Sequence, residues 1–259
     1  MKLLALFFPG IVLLLASCST TYEVNPSSSS TATGSYTRGI ATVESSQVNR
    51  VSASPDNTLV KDGARQDFRF TIYNGSNKPF NFSTRNIQAS FRDSSGSSRN
   101  LKVFSHSKLM QEVEIENSLE SIATSLESTA NTLNAANAGS LTSSGYSSGS
   151  SYSARSGGYV SSSGYSSSST YDPYRAAQAR KIAEAENQAR AQQVEYESQA
   201  RIDEINQTIL GQHTLQPGES YSGLVRVDMP YMNKDGAIVF DVYAGRERHQ
   251  LEFILRPAY

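Results

Sequence analysis

The sequence predicts an α+β protein: an immunoglobulin-like antiparallel β-sandwich interrupted by a long α-helical hairpin whose tip is disordered and rich in Ser, Gly and Tyr. Three observations support this. Apolar and polar residues alternate with a period of two within 39–104 and again within 211–259. Between those stretches the apolar spacing becomes helical. The two helical segments are separated by a 33-residue tract that carries a single charge.

The chain opens with Met1-Lys2 and an apolar run from Leu3 to Ala16, broken only by Pro9-Gly10. A basic start, a short apolar core and small residues after it describe an export signal over residues 1–17, too short to span a bilayer. Leu15-Ala16-Ser17-Cys18 at its end resembles the bacterial lipoprotein box. That resemblance implies that Cys18, the one cysteine of the chain, is acylated with palmitate-type chains and becomes the first mature residue. It also implies sorting to the outer membrane, because Ser19 stands where an aspartate often retains lipoproteins in the inner one. Each buried methylene contributes about 0.8 kcal/mol, so a multiply acylated Cys18 anchors stably where one chain does not. Residues 18–38 are Ser/Thr-rich, nearly uncharged and without apolar periodicity, and are expected to form a lipidated flexible tether.

The first clear strand has Phe68, Phe70 and Ile72 alternating with Arg69, Thr71 and Tyr73, which places the apolar three on one sheet face. Asn74-Gly75-Ser76-Asn77 supplies a turn, and Phe80 and Phe82 flank Asn81 beyond it. Further strands are expected over 39–43, 87–92 and 101–104. These are too few to close a sandwich. The rest follow the Gln216-Pro217-Gly218-Glu219 turn, with apolar or small faces at Tyr221, Gly223, Val225 and Val227, then at Ile238, Phe240 and Val242, then at Leu251, Phe253 and Leu255. Seven or eight short strands fit two packed antiparallel sheets of immunoglobulin-like type, assembled from 39–104 and 211–259.

The first helix is expected over 108–138 within an insertion segment of 105–138. Ile115, Leu119, Ile122, Leu126, Leu133 and Ala136 fall on a four-three spacing with Thr129 in the intervening place, a coiled-coil heptad seam. Asp172-Pro173 opens a second helix, with Asp as cap and Pro at the first helical position. It should run to Leu210, a length of roughly 57 Å at 1.5 Å per residue, and stop at Gly211. Its apolar seam is clear at Ile202, Ile205 and Ile209 and turns Ala-rich toward Ala176, so the outer hairpin buries little area.

Residues 139–171 comprise 16 Ser, 6 Gly and 5 Tyr, with Arg155 as their charge. Such a composition cannot bury enough apolar surface to offset ordering entropy, so the tip is expected to be disordered. Tyr146, Tyr152, Tyr159, Tyr165 and Tyr171 recur every six or seven residues, a spacing suited to weak multivalent contacts with a partner. A passive spacer is the alternative.

From residue 101 onward the order of motifs is Lys102-Val103-Phe104, a helix start around Leu109, Asn134-Ala135-Ala136-Asn137-Ala138-Gly139, the Ser/Gly/Tyr tract, an Ala/Gln-rich helix, His213-Thr214-Leu215-Gln216-Pro217-Gly218-Glu219, and a strand with Gly223. This order resembles a group of uncharacterised exported bacterial proteins with a helical insertion in a β-rich domain. The resemblance implies the architecture and transfers no catalytic residues.

Composition narrows the function classes. With 23 Lys plus Arg against 24 Asp plus Glu in 259 residues, the chain lacks the basic excess of a nucleic-acid binder. A single cysteine excludes an internal disulfide and a Cys-x-x-Cys metal or redox pair. His106, His213 and His249 have no metal-ligand spacing and read as ordinary surface histidines. No nucleophile elbow, phosphate loop or dinucleotide fingerprint occurs. Glu112, Glu114, Glu116 and Glu120 read as a solvated helix face. The expected function is therefore that of an outer-membrane-anchored lipoprotein without catalytic residues, metal or cofactor. It would be a binding or structural component of the cell envelope that contacts an envelope protein, or itself, through the hairpin. The alternative is an accessory enzyme or ligand-binding lipoprotein with a site between the sandwich and the hairpin base.

Overall fold

The structure, a computed structural model, describes residues 20–153, 158–232 and 235–258. The export signal and Cys18 lie outside the described residues. In chain order the elements are β1 (Thr21–Pro26), β2 (Thr33–Thr37), β3 (Ile40–Ser46), β4 (Arg50–Pro55), β5 (Leu59–Lys61), β6 (Arg65–Tyr73), β7 (Phe80–Phe82), β8 (Ile87–Asp93), β9 (Ser98–Leu101), β10 (Val103–Phe104), α1 (His106–Asn137), β11 (Ser140–Ser153), β12 (Gly158–Tyr171), α2 (Pro173–Thr208), β13 (His213–Leu215), β14 (Ser220–Asp228), β15 (Gly236–Ala244) and β16 (Glu247–Pro257). They divide into two compact units. One comprises the described residues up to Leu109 and from Ile205 onward, the other Met110–Glu204.

The first unit consists mainly of two six-stranded antiparallel sheets, with strand orders β5-β1-β16-β15-β8-β9 and β10-β14-β6-β4-β3-β2. Its strands form where the sequence alternates, because period two presents one face to the core. On β6, Phe68, Phe70 and Ile72 are fully buried, as are Ile238, Phe240 and Val242 on β15 and Leu251, Phe253 and Leu255 on β16. The sheets meet through aromatic rings. Phe240 lies 4.8 Å from Phe68 and 5.1 Å from Phe70, both at steep interplanar angles that suit the ring quadrupoles. This arrangement fits a β-sandwich.

Both halves of the chain are needed in every layer. β14 pairs with β6 from Ser220↔Tyr73 to Asp228↔Arg65, and β15 inserts between β8 and β16. The two turn signals interlock: buried Asn74 donates its amide to Lys78 O (2.9 Å) and Leu215 O (3.0 Å), and Gly218 N–H donates to Asn74 O (2.7 Å).

Residues 20–38 are not a flexible tether. β1 pairs with β16 on one side and β5 on the other, and β2 pairs with β3. Tyr22 and Val24 are buried, and the Tyr22 hydroxyl donates to Met232 O at 2.7 Å. Burial, with Asp62 and Asp235 nearby, raises the Tyr22 phenol above its ordinary range. Strands β4 and β5 also lie outside the sequence expectation. The end of α2 differs too: the chain leaves the helix at Thr208 and is captured by β14, where Leu210 N–H donates to Leu224 O at 2.8 Å. Gly223 makes room, since a Cβ there would stand 2.8 Å from Leu210 Cα. Helix termination therefore comes from strand capture and not from Gly211.

The second unit contains most of both helices. Asp172 caps α2, its Oδ1 accepting from Tyr174 N–H (3.0 Å) and Arg175 N–H (3.2 Å), with Pro173 at the first helical position. The helices run antiparallel, with Glu116 paired to Arg201, Asn117 to Ser198, Glu127 to Arg190 and Asn131 to Asn187. The apolar seam expected between them is absent from their interface. Ile115, Leu119, Ile122, Leu126 and Leu133 are exposed, between 51% and 69%. Polar α1 residues face α2 instead, around a groove of about 440 Å³ lined by Asn117, Ser121, Ser125, Asn187, Val194 and Ser198.

The described parts of the tip are strands, where disorder was expected. β11 and β12 form a two-stranded antiparallel ribbon from Ser140↔Tyr171 to Ser153↔Gly158. The tyrosine spacing provides the physical reason. Steps of six on either side of a step of seven make the tract nearly symmetric about its midpoint, so Tyr146 is in register with Tyr165 and Tyr152 with Tyr159. Cross-strand aromatic pairs contribute about 0.2–1 kcal/mol each.

Replacing Met110–Glu204 with a short flexible linker is expected to leave the first unit folded, because loop-closure cost changes only logarithmically with length. A β-type circular dichroism spectrum and one cooperative urea transition would bear this out. A random-coil spectrum would show that the helices complete the core.

Candidate functional site

The ribbon and the outward stripe of α1 are where the fold concentrates exposed aromatic and aliphatic groups. Tyr146 and Tyr165 stand opposite one another and are each 71% exposed. Tyr171, six residues beyond Tyr165 on the same strand, shares its face and is also exposed. Tyr152 and Tyr159 are joined by register, although their side chains lie outside what is described. Beside these rings the surface is hydroxyl-rich, and the Ser143 and Ser168 hydroxyls lie 2.8 Å apart across the strands. The ribbon roots at Gly139, where a Cβ would fall 2.7 Å from Asp172 O and 2.9 Å from Ala176 Cβ. Chemically the surface offers flat apolar rings with hydroxyl tips, suited to contact.

The three histidines have separate surroundings. His106 Nε2 hydrogen-bonds Asn206 Oδ1 at 3.0 Å. His213 Nε2 meets Glu219 Oε1 at 2.8 Å, and its ring stacks on Tyr221 at 4.6 Å. The Glu219 carboxyl is held below its ordinary range, first by the Gln216 N–H and then by His213. Among the described residues, no three His, Cys, Asp or Glu side chains are grouped to hold a metal ion.

His249 is not a surface residue. It is 0% exposed on β16, its Nδ1 lies 3.0 Å from Ser45 Oγ, and its Nε2 lacks a hydrogen bond, with Glu247 Oε2 3.6 Å away. Burial lowers its pKa below the ordinary histidine value; Glu247 and the contact with Ser45 oppose that shift without cancelling it. Below about pH 6.5 the unfolded chain takes up a proton that folded His249 refuses. Stability is thus full above that value and falls as pH drops through it toward the folded pKa. The urea midpoint should decline on going from pH 7.5 to 5, with a shallower slope in His249→Gln. Equal slopes would exclude His249 as the cause.

The sequence signals that were missed concern partnership and not residue type. The α1 stripe is visible as a heptad, but which side of α1 receives α2 is not. Among the described residues no helix is long and apolar enough to cross a membrane. No protein family, curated protein or solved structure matches the chain.

Proposed function

We propose that the chain is an outer-membrane-anchored lipoprotein, a non-catalytic binding or structural component of the cell envelope, which contacts an envelope partner through the hairpin. The anchor rests on Leu15-Ala16-Ser17-Cys18 after an apolar export segment, with Ser19 favouring the outer membrane. The observation that carries the contact function is the ribbon, which sets Tyr146 opposite Tyr165 in register and leaves both exposed. Tyrosines carried on a paired backbone lose less chain entropy on contact than they would in a disordered tract. Many lipidated copies in one membrane would then add weak contacts into useful avidity.

The finer fold assignment is also ours: the sandwich is immunoglobulin-like. Strand order supports it. One sheet contains β10-β14-β6-β4 and the other β9-β8-β15-β16. Taking β4, β6, β8, β9, β10, β14, β15 and β16 as successive strands A, B, C, C′, D, E, F and G gives D-E-B-A packed on C′-C-F-G, the immunoglobulin arrangement. β1 and β5 extend the G edge, and β3 and β2 extend the A edge.

The test is cross-linking in intact cells followed by recovery of the chain and its partners. Replacing Tyr146, Tyr152, Tyr159 and Tyr165 together with Ser should remove partner recovery at normal protein levels. Unchanged recovery would reduce the ribbon to a spacer. Mass spectrometry of the same material should show an acylated Cys18 at the mature N-terminus, and an unmodified Cys18 would refute the anchor.

A further inference from the structure

We propose that the outward stripe of α1 is the seam of a homotypic coiled coil through which two copies of this chain associate. The inference rests on reading the insertion as a contact module, and it assigns the stripe an occupant of its own, separate from the tyrosine ribbon.

The stripe consists of Ile115, Leu119, Ile122, Leu126 and Leu133, with Thr129 completing the four-three spacing. Within its own unit α1 directs the opposite, polar side at α2, using Asn117 and Asn131. Large aliphatic side chains on a strict heptad thus stand in solvent, while the α1 residues joined to α2 are Glu116, Asn117, Glu127 and Asn131. A heptad seam is complementary to a copy of itself, because each knob finds a hole made by the same residue types. A two-fold pairing of copies closes on itself and leaves no stripe uncovered.

Charge and area are consistent with this occupant. With Leu119 and Leu126 at a positions, the flanking e and g positions include Ser118, Ala123, Ser125, Ala130 and Thr132, all uncharged. Glu116, the acidic exception, is already paired with Arg201 at 3.1 Å. Two copies therefore meet without like-charge repulsion along the seam. Five side chains at these exposures release roughly 100 Å² each, so two copies bury about 1,000 Å², the lower bound for a specific interface. A membrane surface suits the stripe poorly: α1 carries five Glu and one Lys, the reverse of the basic rim that anionic lipid attracts. Thr129, polar at a core position, fixes register at some cost in affinity.

Sedimentation equilibrium of the full chain carrying Cys18→Ser, so that acyl chains do not join copies, tests the proposal across the micromolar range. A reversible dimer is expected. The double variant Ile122→Gln with Leu126→Gln should be monomeric with an unchanged helical spectrum, and Thr129→Leu should dimerise about tenfold more tightly. A monomer at every concentration, or a dimer indifferent to both variants, would overturn the proposal. Loss of helix in the Gln variant would overturn it as well, by showing that the stripe packs inside the hairpin. Partner recovery in cells separates the two readings. A monomer that still recovers a tyrosine-dependent partner defeats the dimer alone, and a stripe-dependent dimer without such a partner supports the dimer while defeating the ribbon reading.

Discussion

Phe240→Ala should destabilise the β unit by about 3–5 kcal/mol, the range for deleting a buried aromatic ring and leaving a cavity. Phe240 is fully buried, and its ring is within 6.2 Å of three others: Phe68 and Phe70 from the facing sheet and Phe253 from its own. No neighbour can collapse into the gap without opening another. Domains of this size hold about 5–15 kcal/mol in total, so the variant should be partly unfolded at physiological temperature. Urea unfolding followed by tyrosine fluorescence measures the loss, with Phe240→Leu as the milder control. A cost below about 1 kcal/mol would mean that the sheets do not meet at this ring.

The second large effect is expected at the N-terminus. Replacing Tyr22 and Val24 together with Ser keeps the Ser/Thr-rich character of the segment but removes two core side chains and the Tyr22 hydrogen bond to Met232 O. Burial of the two contributes roughly 4 kcal/mol and the hydrogen bond about 1 kcal/mol more. Loss of β1 also bares the β16 edge, so aggregation on heating should accompany the fall in stability. A tether would tolerate the double change without effect. An unaltered urea midpoint would restore that reading.

The sandwich strands were legible wherever alternation ran for three apolar positions, as in Phe68, Phe70, Ile72 and in Leu251, Phe253, Leu255. Shorter alternations were not: Tyr22 and Val24 give two positions amid Ser and Thr, so composition outweighed pattern. His249 shares parity with Leu251 and Phe253 and so belongs to their buried face, a placement that alternation along β16 encodes. Asp172-Pro173 fixed the start of α2 because capping is local chemistry. The heptad of α1 was equally visible but could not name its neighbour, since periodicity identifies a face to be covered and not the element that covers it. At the tip, a composition typical of disorder concealed a near-mirror placement of tyrosines, and pairing depends on that symmetry more than on mean hydropathy.

The interlocking of both halves of the chain has a consequence for biogenesis. When synthesis reaches Leu109, β6 and β8 exist but their partners β14 and β15 do not. At about 5–20 residues per second, the 95 residues of Met110–Glu204 occupy a ribosome for several seconds or longer before the first missing strand is made. Through that interval the nascent half-domain exposes Phe68, Phe70 and an open strand edge, the kind of surface that holdase chaperones bind. Trigger for closure is then the last 40 or so residues, and β15 and β16 arrive together as a hairpin.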